Sequence, residues 1–131
     1  MSYATYKTAE VSTVRSSMTP CIFDDDPAER DSLNSLIMDM GYGPVCTSDS
    51  EEALRLIRLG RCRLVFASIH LDVHDAYEFL SRALRCDPGM HVILMTAQYT
   101  LEGIRRGAAD FLPKPIDQLR LKRTLDDVAT L

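Results

Sequence analysis

Five polar residues stand at the ends of apolar runs. Asp24 and Asp25 directly follow the first of these runs, and Ser68, Thr96 and Lys114 follow three later ones. Paired carboxylates repel each other and are tolerated where a hard cation or an ammonium shares the site, so Mg²⁺ and the Lys114 ammonium are natural companions for them. A threonine hydroxyl could donate a hydrogen bond to a bound oxyanion. The five residues make a candidate polar site if the fold brings the run ends together.

Short apolar runs of β type alternate with longer helical patterns from Pro20 onward, in five pairs. This alternation predicts a doubly wound α/β domain with a five-stranded parallel sheet between two layers of helices. Ligands of open parallel sheets bind outside the carboxyl ends of the strands, where the strand order switches direction. We therefore expect the ends of strands one, three, four and five to converge.

The first helix has clear signals at its start. Asp26 is expected to cap it, with Pro27 in the first turn and Glu29 completing a capping box. Capping is favoured over metal binding as the role of Asp26. Helical spacing places four apolar residues on the buried face of this helix, namely Leu33, Leu36, Ile37 and Met40.

The remaining elements follow from apolar periodicity and from Gly and Pro stops. Further strands are expected at 44–46, 64–68, 91–96 and 111–112, and further helices from 49, near 76–85, around 101–106 and from about 116. The nearly continuous apolar run at 91–96 is typical of a central strand that is covered on both faces. The last helix is expected to bury Ile116, Leu119, Leu125 and Val128.

Length and charge limit the classes of function. The 131 residues suit one domain, which we place at 20–131, after a flexible leader at 1–19 that is rich in Ser and Thr. The net charge of -4 gives no basic footprint for a phosphate backbone, so direct nucleic-acid binding is not expected.

The cysteines and the hydropathy pattern indicate the compartment. Cys21, Cys46, Cys62 and Cys86 are far apart and form no Cys-x-x-Cys, so we expect reduced thiols that pack as small core residues. No apolar run approaches the length of a membrane span, and the chain does not start like a signal peptide. A soluble cytoplasmic protein without a membrane partner is expected.

The ordered set of run ends resembles the receiver domain of bacterial two-component response regulators. The resemblance extends from Pro20 to the C-terminus, and the stretch 107–115 is similar to the family's Gly-Ala-x-aromatic-x-x-Lys-Pro ending. It implies the CheY-like fold, a flavodoxin-like (βα)5 three-layer sandwich. It also implies that Asp24 and Asp25 bind magnesium, that Thr96 and Lys114 contact a phosphoryl group, and that Phe111 is the switch aromatic.

Ser68 is the main departure from the family pattern, because the resemblance implies a phospho-accepting aspartate at this position. The following loop departs too, since 71–76 keeps only Leu71 and Asp75 of the usual Leu-Pro-x-Met-Asp-Gly. The segment between Thr96 and the Gly-Ala pair is also about four residues, roughly one helical turn, shorter than in most receivers. A truncated fourth helix is therefore expected.

The chemistry of serine makes this departure important. An aspartyl phosphate needs a carboxylate nucleophile, whereas a serine hydroxyl needs an activating base, and no His-Asp relay is evident beside Ser68. We therefore expect no catalytic residues. Losing one carboxylate also weakens the attraction for a metal, so Mg²⁺ is expected to be weakly bound or absent.

Two other assignments in the neighbouring segment are disfavoured. Asp72 and Asp75 could replace the acceptor, but both are expected on a loop beyond the strand end, where the geometry for attack is poor. His70 and His74 are spaced like metal ligands, but the segment is interpreted as a solvated loop that lacks a supporting ligand set.

These residues support a degenerate receiver, or pseudo-receiver, that is not an enzyme and works by binding proteins. The expected partners are a sensor kinase or an output protein or domain, bound through the fourth helix, fifth strand and fifth helix. A homodimer through the same three elements is the alternative, although the basic residues there are interpreted first as a solvated face. One alternative is an ordinary phospho-accepting receiver of a longer transcription regulator with an altered acceptor. The other is a flavodoxin-like enzyme or nucleotide binder, although Asp24 and its neighbours would repel a phosphate.

Overall fold

The computed structural model describes residues 19–68, 73–96 and 101–129. The leader expected at 1–19 lies outside the described residues except for Thr19. The strands are β1 (Pro20–Phe23), β2 (Val45–Thr47), β3 (Leu64–Ser68), β4 (His91–Thr96) and β5 (Asp110–Pro113). The helices are α1 (Pro27–Asp39), α2 (Ser50–Arg58), α3 (Val73–Cys86), α4 (Leu101–Arg105) and α5 (Gln118–Ala129).

The five strands form one parallel sheet in the order β2-β1-β3-β4-β5. The chain turns outward from β1 to β2 and then crosses to β3, so the strand order switches direction between β1 and β3. Ser68 lies opposite Met95, and Thr96 lies opposite Pro113. The predicted doubly wound α/β fold with a five-stranded parallel sheet is therefore confirmed.

The core has two parts, one on each face of the sheet. Leu54 of α2 and Phe79 of α3 pack on one face with Leu94 and Phe111, while Ile37 of α1 packs on the other face with residues of α5. All five residues of β3 are buried, as are the four central residues of β4. Burial on both faces explains why these two strands are nearly continuous apolar runs.

The start of α1 confirms one prediction and corrects another. Asp26 is the N-cap, with its Oδ1 accepting hydrogen bonds from Ala28 N at 2.9 Å and Glu29 N at 3.4 Å, and Pro27 is the first helical residue. The expected capping box is wrong, because Asp26 N donates to Asp24 Oδ1 at 2.9 Å. The Glu29 carboxylate instead accepts a hydrogen bond from Lys114 Nζ at 2.9 Å.

The buried face of α5 differs from the expectation. The Asp117 carboxylate accepts a hydrogen bond from Leu119 N at 3.1 Å, so the helix begins at Gln118 and Ile116 precedes it. Leu119 is 64% exposed, whereas Leu121 and Leu125 are fully buried. Leu119 was wrongly placed because it lies two residues before Leu121, which is about 200° around a helix from it.

The start of α3 is also corrected. The helix begins at Val73 rather than near 76, so His74 and Asp75 lie in its first turn and not on a loop. An acidic residue suits this position because the N-terminus of a helix carries a partial positive charge. His70 and Asp72 lie outside the described residues.

The four cysteines are free thiols. Cys21 and Cys62 are buried core residues, as expected. A hydrogen bond with Cys62 and burial raise the pKa of the Cys21 thiol above its usual value. Cys46 is exposed because β2 is an edge strand, so its expected core position is wrong.

None of the helices in the described ranges combines the length and the apolar character that a membrane crossing requires.

Gly103 of α4 provides a test of core packing. A Cβ added there would lie 2.5 Å from Phe111 Cζ and 3.2 Å from Leu94 Cδ1. Alanine in a helix gains up to about 1 kcal/mol over glycine, but overpacking costs roughly 1–3 kcal/mol. We expect Gly103→Ala to lower the free energy of unfolding by about 1 kcal/mol, as measured by urea denaturation.

Gly43→Ala is the matched control, because nothing lies within 4 Å of a Cβ added there. We expect this variant to be unchanged or slightly more stable. A Gly103→Ala variant that is more stable than the native chain would show that α4 does not pack tightly on Phe111.

Candidate functional site

The Lys114 ammonium joins two elements at the carboxyl ends of the strands. Its Nζ donates hydrogen bonds to Ser68 Oγ at 2.5 Å and to Glu29 Oε2 at 2.9 Å. Ser68 is only 7% exposed, and the Lys114 side chain is 19% exposed. A cation that is largely shielded from water therefore bridges the last residue of β3 and the first turn of α1.

The sheet register explains why these side chains meet. Ser68 is the last residue of β3, Thr96 is the last residue of β4, and Lys114 directly follows β5. Lys114 N donates to the Thr96 carbonyl at 3.2 Å, which extends the ladder between the last two strands by one residue. Parallel strands that end together thus place Thr96 beside the Ser68 and Lys114 pair.

Asp24 is held in the interior at the end of β1. It is 1% exposed, and its Oδ1 accepts the hydrogen bond from Asp26 N described above. Its carbonyl oxygen accepts a hydrogen bond from Arg30 Nη1 at 2.9 Å. Asp25, the next residue, is exposed. The two adjacent carboxylates therefore have different environments.

Asp24 and Asp25 line different clefts at this end of the sheet. Asp25 lines a cleft of about 480 Å³ together with Ser68 and Asp75. Asp24 lines another cleft of about 410 Å³ together with Glu29 and Lys114. The structure brings the five predicted residues to one edge of the sheet, with Asp25 lining the first of these clefts and Asp24 the second.

The donor set can be compared with the requirements of Mg²⁺. This ion prefers carboxylate and water oxygens in octahedral geometry. Here Asp24 and Asp25 line different clefts, and the end of β3 supplies a hydroxyl that contacts an ammonium. Within 19–68, 73–96 and 101–129, no three His, Cys, Asp or Glu residues are grouped closely enough to hold a metal ion. A hydroxyl bonded to an ammonium at the end of β3 is a weaker donor for this ion than a carboxylate would be.

Phe111 lies in the core beneath α4. It is 3% exposed and belongs to the same cluster as Leu94. Its carbonyl oxygen accepts a hydrogen bond from Arg120 Nη2 of α5 at 2.7 Å, which fixes α5 against β5. The switch role implied for Phe111 stays a prediction.

Sequence reasoning missed two residues of this site, Glu29 and Arg30. Glu29 pairs with Lys114, whereas its place in the sequence favours a capping box. Arg30 donates to the backbone of Asp24. The sequence feature that could have indicated them is their position near the start of α1, directly after the carboxylates that follow β1. Side chains at the start of this helix can reach back to the edge of the sheet.

Residues 21–126 match the response regulator receiver domain family. The transcriptional regulator NtrC of Rhizobium meliloti is 33% identical over 107 residues, which cover 79% of this chain and 22% of the relative. The regulatory protein GlrR of Escherichia coli is 28% identical over 110 residues, which cover 81% and 25%. The chain thus spans about a quarter of the length of these curated relatives.

Solved structures show the same fold. A CheY-like receiver domain protein from Methanospirillum hungatei has a TM-score of 0.76 and 26% identity, covering 86% of this chain and 94% of that one. The receiver domain of sensor histidine kinase PA1611 from Pseudomonas aeruginosa has a TM-score of 0.75 and 20% identity, covering 87% and 98%. That structure has a magnesium ion coordinated in its active site cleft.

The family match covers most of the chain, and the strand order and the polar residues at the strand ends agree with it. This chain belongs to the response regulator receiver domain family, a family of two-component signalling modules.

Proposed function

We propose that this chain is a degenerate receiver, a cytoplasmic module of a two-component phosphorelay that does not cycle through aspartyl phosphate. Its work is protein binding rather than catalysis. The observation that carries the proposal is the hydrogen bond from Lys114 Nζ to Ser68 Oγ at the position where the family resemblance places an acceptor aspartate.

The protonation chemistry of this contact supports the proposal. An ammonium has three N–H donors and no acceptor, so Lys114 cannot take a proton from the Ser68 hydroxyl. A serine nucleophile needs an adjacent base to become reactive. The Asp24 carboxylate, at the end of β1, accepts a hydrogen bond from Asp26 N at its Oδ1. The contact of Ser68 with Lys114 therefore supplies a donor rather than an activating base.

The charge of Lys114 is balanced within the chain. Its contact with Glu29 at 2.9 Å supplies a carboxylate from α1, and Ser68 occupies another donor. The Lys114 ammonium therefore does not need a bound phosphate to compensate its charge. On this proposal Mg²⁺ is weakly held or absent, while Asp24 and Asp25 keep the remaining part of a metal position.

The other receiver positions keep their side chains. On this proposal Thr96 occupies the phosphate-sensing position, Lys114 the phosphoryl-pocket position and Phe111 the switch position. The backbone bond between Lys114 and Thr96 keeps two of these residues adjacent. The pocket is thus retained as a structural arrangement in which position 68 lacks a reactive carboxylate.

A partner surface on α4, β5 and α5 is the natural candidate for binding a sensor kinase or an output protein or domain. Ile104 and Leu119 are 39% and 64% exposed there. Arg105, Lys122 and Arg123 are exposed basic residues on the same elements. Apolar side chains surrounded by charge are typical of a binding site. The same surface is the candidate interface for a homodimer.

Phosphate transfer is the direct test. After incubation with Mg²⁺ and acetyl phosphate, we expect the native chain to keep its intact mass. Ser68→Asp restores a carboxylate beside Lys114 and should gain one phosphate that hydroxylamine removes, because acyl phosphates are labile to this nucleophile. Intact-mass spectrometry measures both outcomes.

Ser68→Asn is the matched control, because it has the size of aspartate but no nucleophilic carboxylate. A hydroxylamine-labile phosphate on the native chain would overturn the proposal and direct attention to Asp75, which lines the same cleft as Ser68. A folded Ser68→Asp variant that stays unlabelled would show that the altered segment after β3 also prevents transfer.

Magnesium affinity provides a second prediction. An added carboxylate at position 68 should attract the cation, and we expect Ser68→Asp to bind Mg²⁺ about tenfold more tightly than the native chain, a gain of about 1.4 kcal/mol. Isothermal titration calorimetry makes the comparison, with Ser68→Asn again as the neutral control. Equal affinities for all three proteins would contradict this account of the pocket.

The homodimer can be tested at Leu119. If α5 forms an interface, Leu119→Asp should weaken self-association about tenfold or more, because a buried leucine contributes roughly 1.5–3 kcal/mol. Sedimentation equilibrium measures the association. Leu59→Asp is the control, since Leu59 is 60% exposed at the end of α2, away from α4 and α5. Equal weakening by both changes would exclude the α5 surface.

The second candidate is an ordinary receiver of a longer transcription regulator with an altered acceptor. The observation in its favour is that the chain matches only about a quarter of the length of NtrC and GlrR. Labelling of the native chain by acetyl phosphate would favour it.

The remaining alternative, a flavodoxin-like enzyme or nucleotide binder, gains no support from the family match, and flavin fluorescence of the purified protein would test it.

A further inference from the structure

A long groove runs between α2 and α3, on the side of the sheet opposite α1. It consists of the cleft of about 480 Å³ that includes Ser68 and an adjoining cleft of about 540 Å³. Leu54 and Arg82 line both clefts, so the two are adjacent. We call this feature the α2–α3 groove. Its volume is in the range of protein cavities that hold ligands or partner side chains.

The two ends of the groove carry opposite charges. Five carboxylates line the end near the carboxyl ends of the strands, namely Asp25, Asp49, Glu51, Asp75 and Glu78. Arg58 and Arg85 line the other end. Arg82 lies between them and forms a two-point contact with Glu51, with bonds of 2.6 and 3.1 Å. The groove is therefore acidic at one end and basic at the other.

The floor of the acidic end is apolar. Phe23 and Phe79 lie there with ring centroids 5.0 Å apart, and Leu54 and Ala76 complete the surface. An apolar floor with charged walls favours a partner that combines an apolar face with charged side chains. A free inorganic cation would leave this floor uncovered.

The direction of the neighbouring helices defines the orientation of such a partner. In a βα repeat with parallel strands, α2 and α3 run in the same direction, with both N-termini at the acidic end. Helices commonly carry acidic residues in the first turn and basic residues in the last, because these charges complement the helix dipole. A helix laid antiparallel to α2 and α3 would bring basic residues to the acidic end and acidic residues to the arginines.

We propose that the α2–α3 groove binds an amphipathic helix of a partner protein, antiparallel to α2 and α3. The C-terminal half of this helix is basic and lies over the acidic end, while an apolar side chain packs on Phe23 and Phe79. Grooves between helices bind amphipathic helices in this way in other proteins. The inference rests on the proposed function as a protein-binding module, and it adds a surface distinct from α4, β5 and α5.

The test uses two fluorescein-labelled peptides of about 15 residues, the length at which isolated helices become stable. Both have the same apolar face. The first has glutamates in its N-terminal half and arginines in its C-terminal half, and the second has these charges exchanged. Fluorescence anisotropy should show the first peptide binding several-fold more tightly, because the second can bring its arginines to the acidic end only by lying parallel to α2 and α3, where its helix dipole is unfavourably aligned with theirs.

Charge exchange in the protein should weaken this preference. Glu78→Arg and Arg85→Glu change one exposed residue at each end of the groove. The double variant should show a smaller difference between the two peptides, because four carboxylates remain at the acidic end and Arg58 at the other end is offset by the new glutamate. Lys122→Glu with Asp126→Arg on α5 is the matched control, since it exchanges an exposed pair outside the groove and should leave the preference unchanged. Circular dichroism checks that both variants fold.

Three outcomes would overturn the inference. They are equal binding of the two peptides, no binding of either below millimolar concentration, and peptide-induced NMR shifts that fall on α4, β5 and α5. None of these outcomes bears on phosphate transfer, and labelling of the native chain by acetyl phosphate does not bear on the groove. Failure of the docking inference and failure of the proposed function are therefore distinguishable.

Discussion

The contact of the Lys114 ammonium with Ser68 and Glu29 determines the chemistry of this site. It neutralises a largely shielded cation with a carboxylate from α1, and it ties the ends of β3 and β5 to the first turn of that helix. A partly buried charge is costly unless it is paired and hydrogen-bonded. Because this pairing is internal to the chain, the charge of Lys114 is compensated without a ligand.

The parallel sheet makes this contact geometrically available. β3 and β4 are buried on both faces, which fixes their register and leaves their last residues at one edge. Met95 lies opposite Ser68, and Thr96 follows one position later, from where its carbonyl holds the backbone of Lys114. Substitutions that loosen the packing of either strand would therefore displace the side chains of the site, even where they do not contact its polar atoms.

The sequence was sufficient to predict the features that depend on local pattern. The strands at 64–68 and 91–96, the Asp26 cap and the meeting of Ser68 with Lys114 follow from periodicity, capping chemistry and strand-end topology. Features that depend on side-chain direction were missed. Glu29 reaches Lys114 across 85 residues of sequence, and Leu119 points outward because it lies about 200° around the helix from the buried Leu121.

The neutral hydroxyl at position 68 has a thermodynamic consequence for signalling. A ligand shifts a conformational equilibrium only by its differential affinity for the two states, and a phosphoryl group supplies such a difference through its charge. On the proposed function, in which position 68 carries no phosphate, a signal through this domain comes from the free energy of binding a partner. The cleft that contains Ser68 is part of the α2–α3 groove, so a partner docked there would lie beside Ser68. Its charged side chains would then act on the strand ends, as the proposal requires of a partner in place of a phosphoryl group.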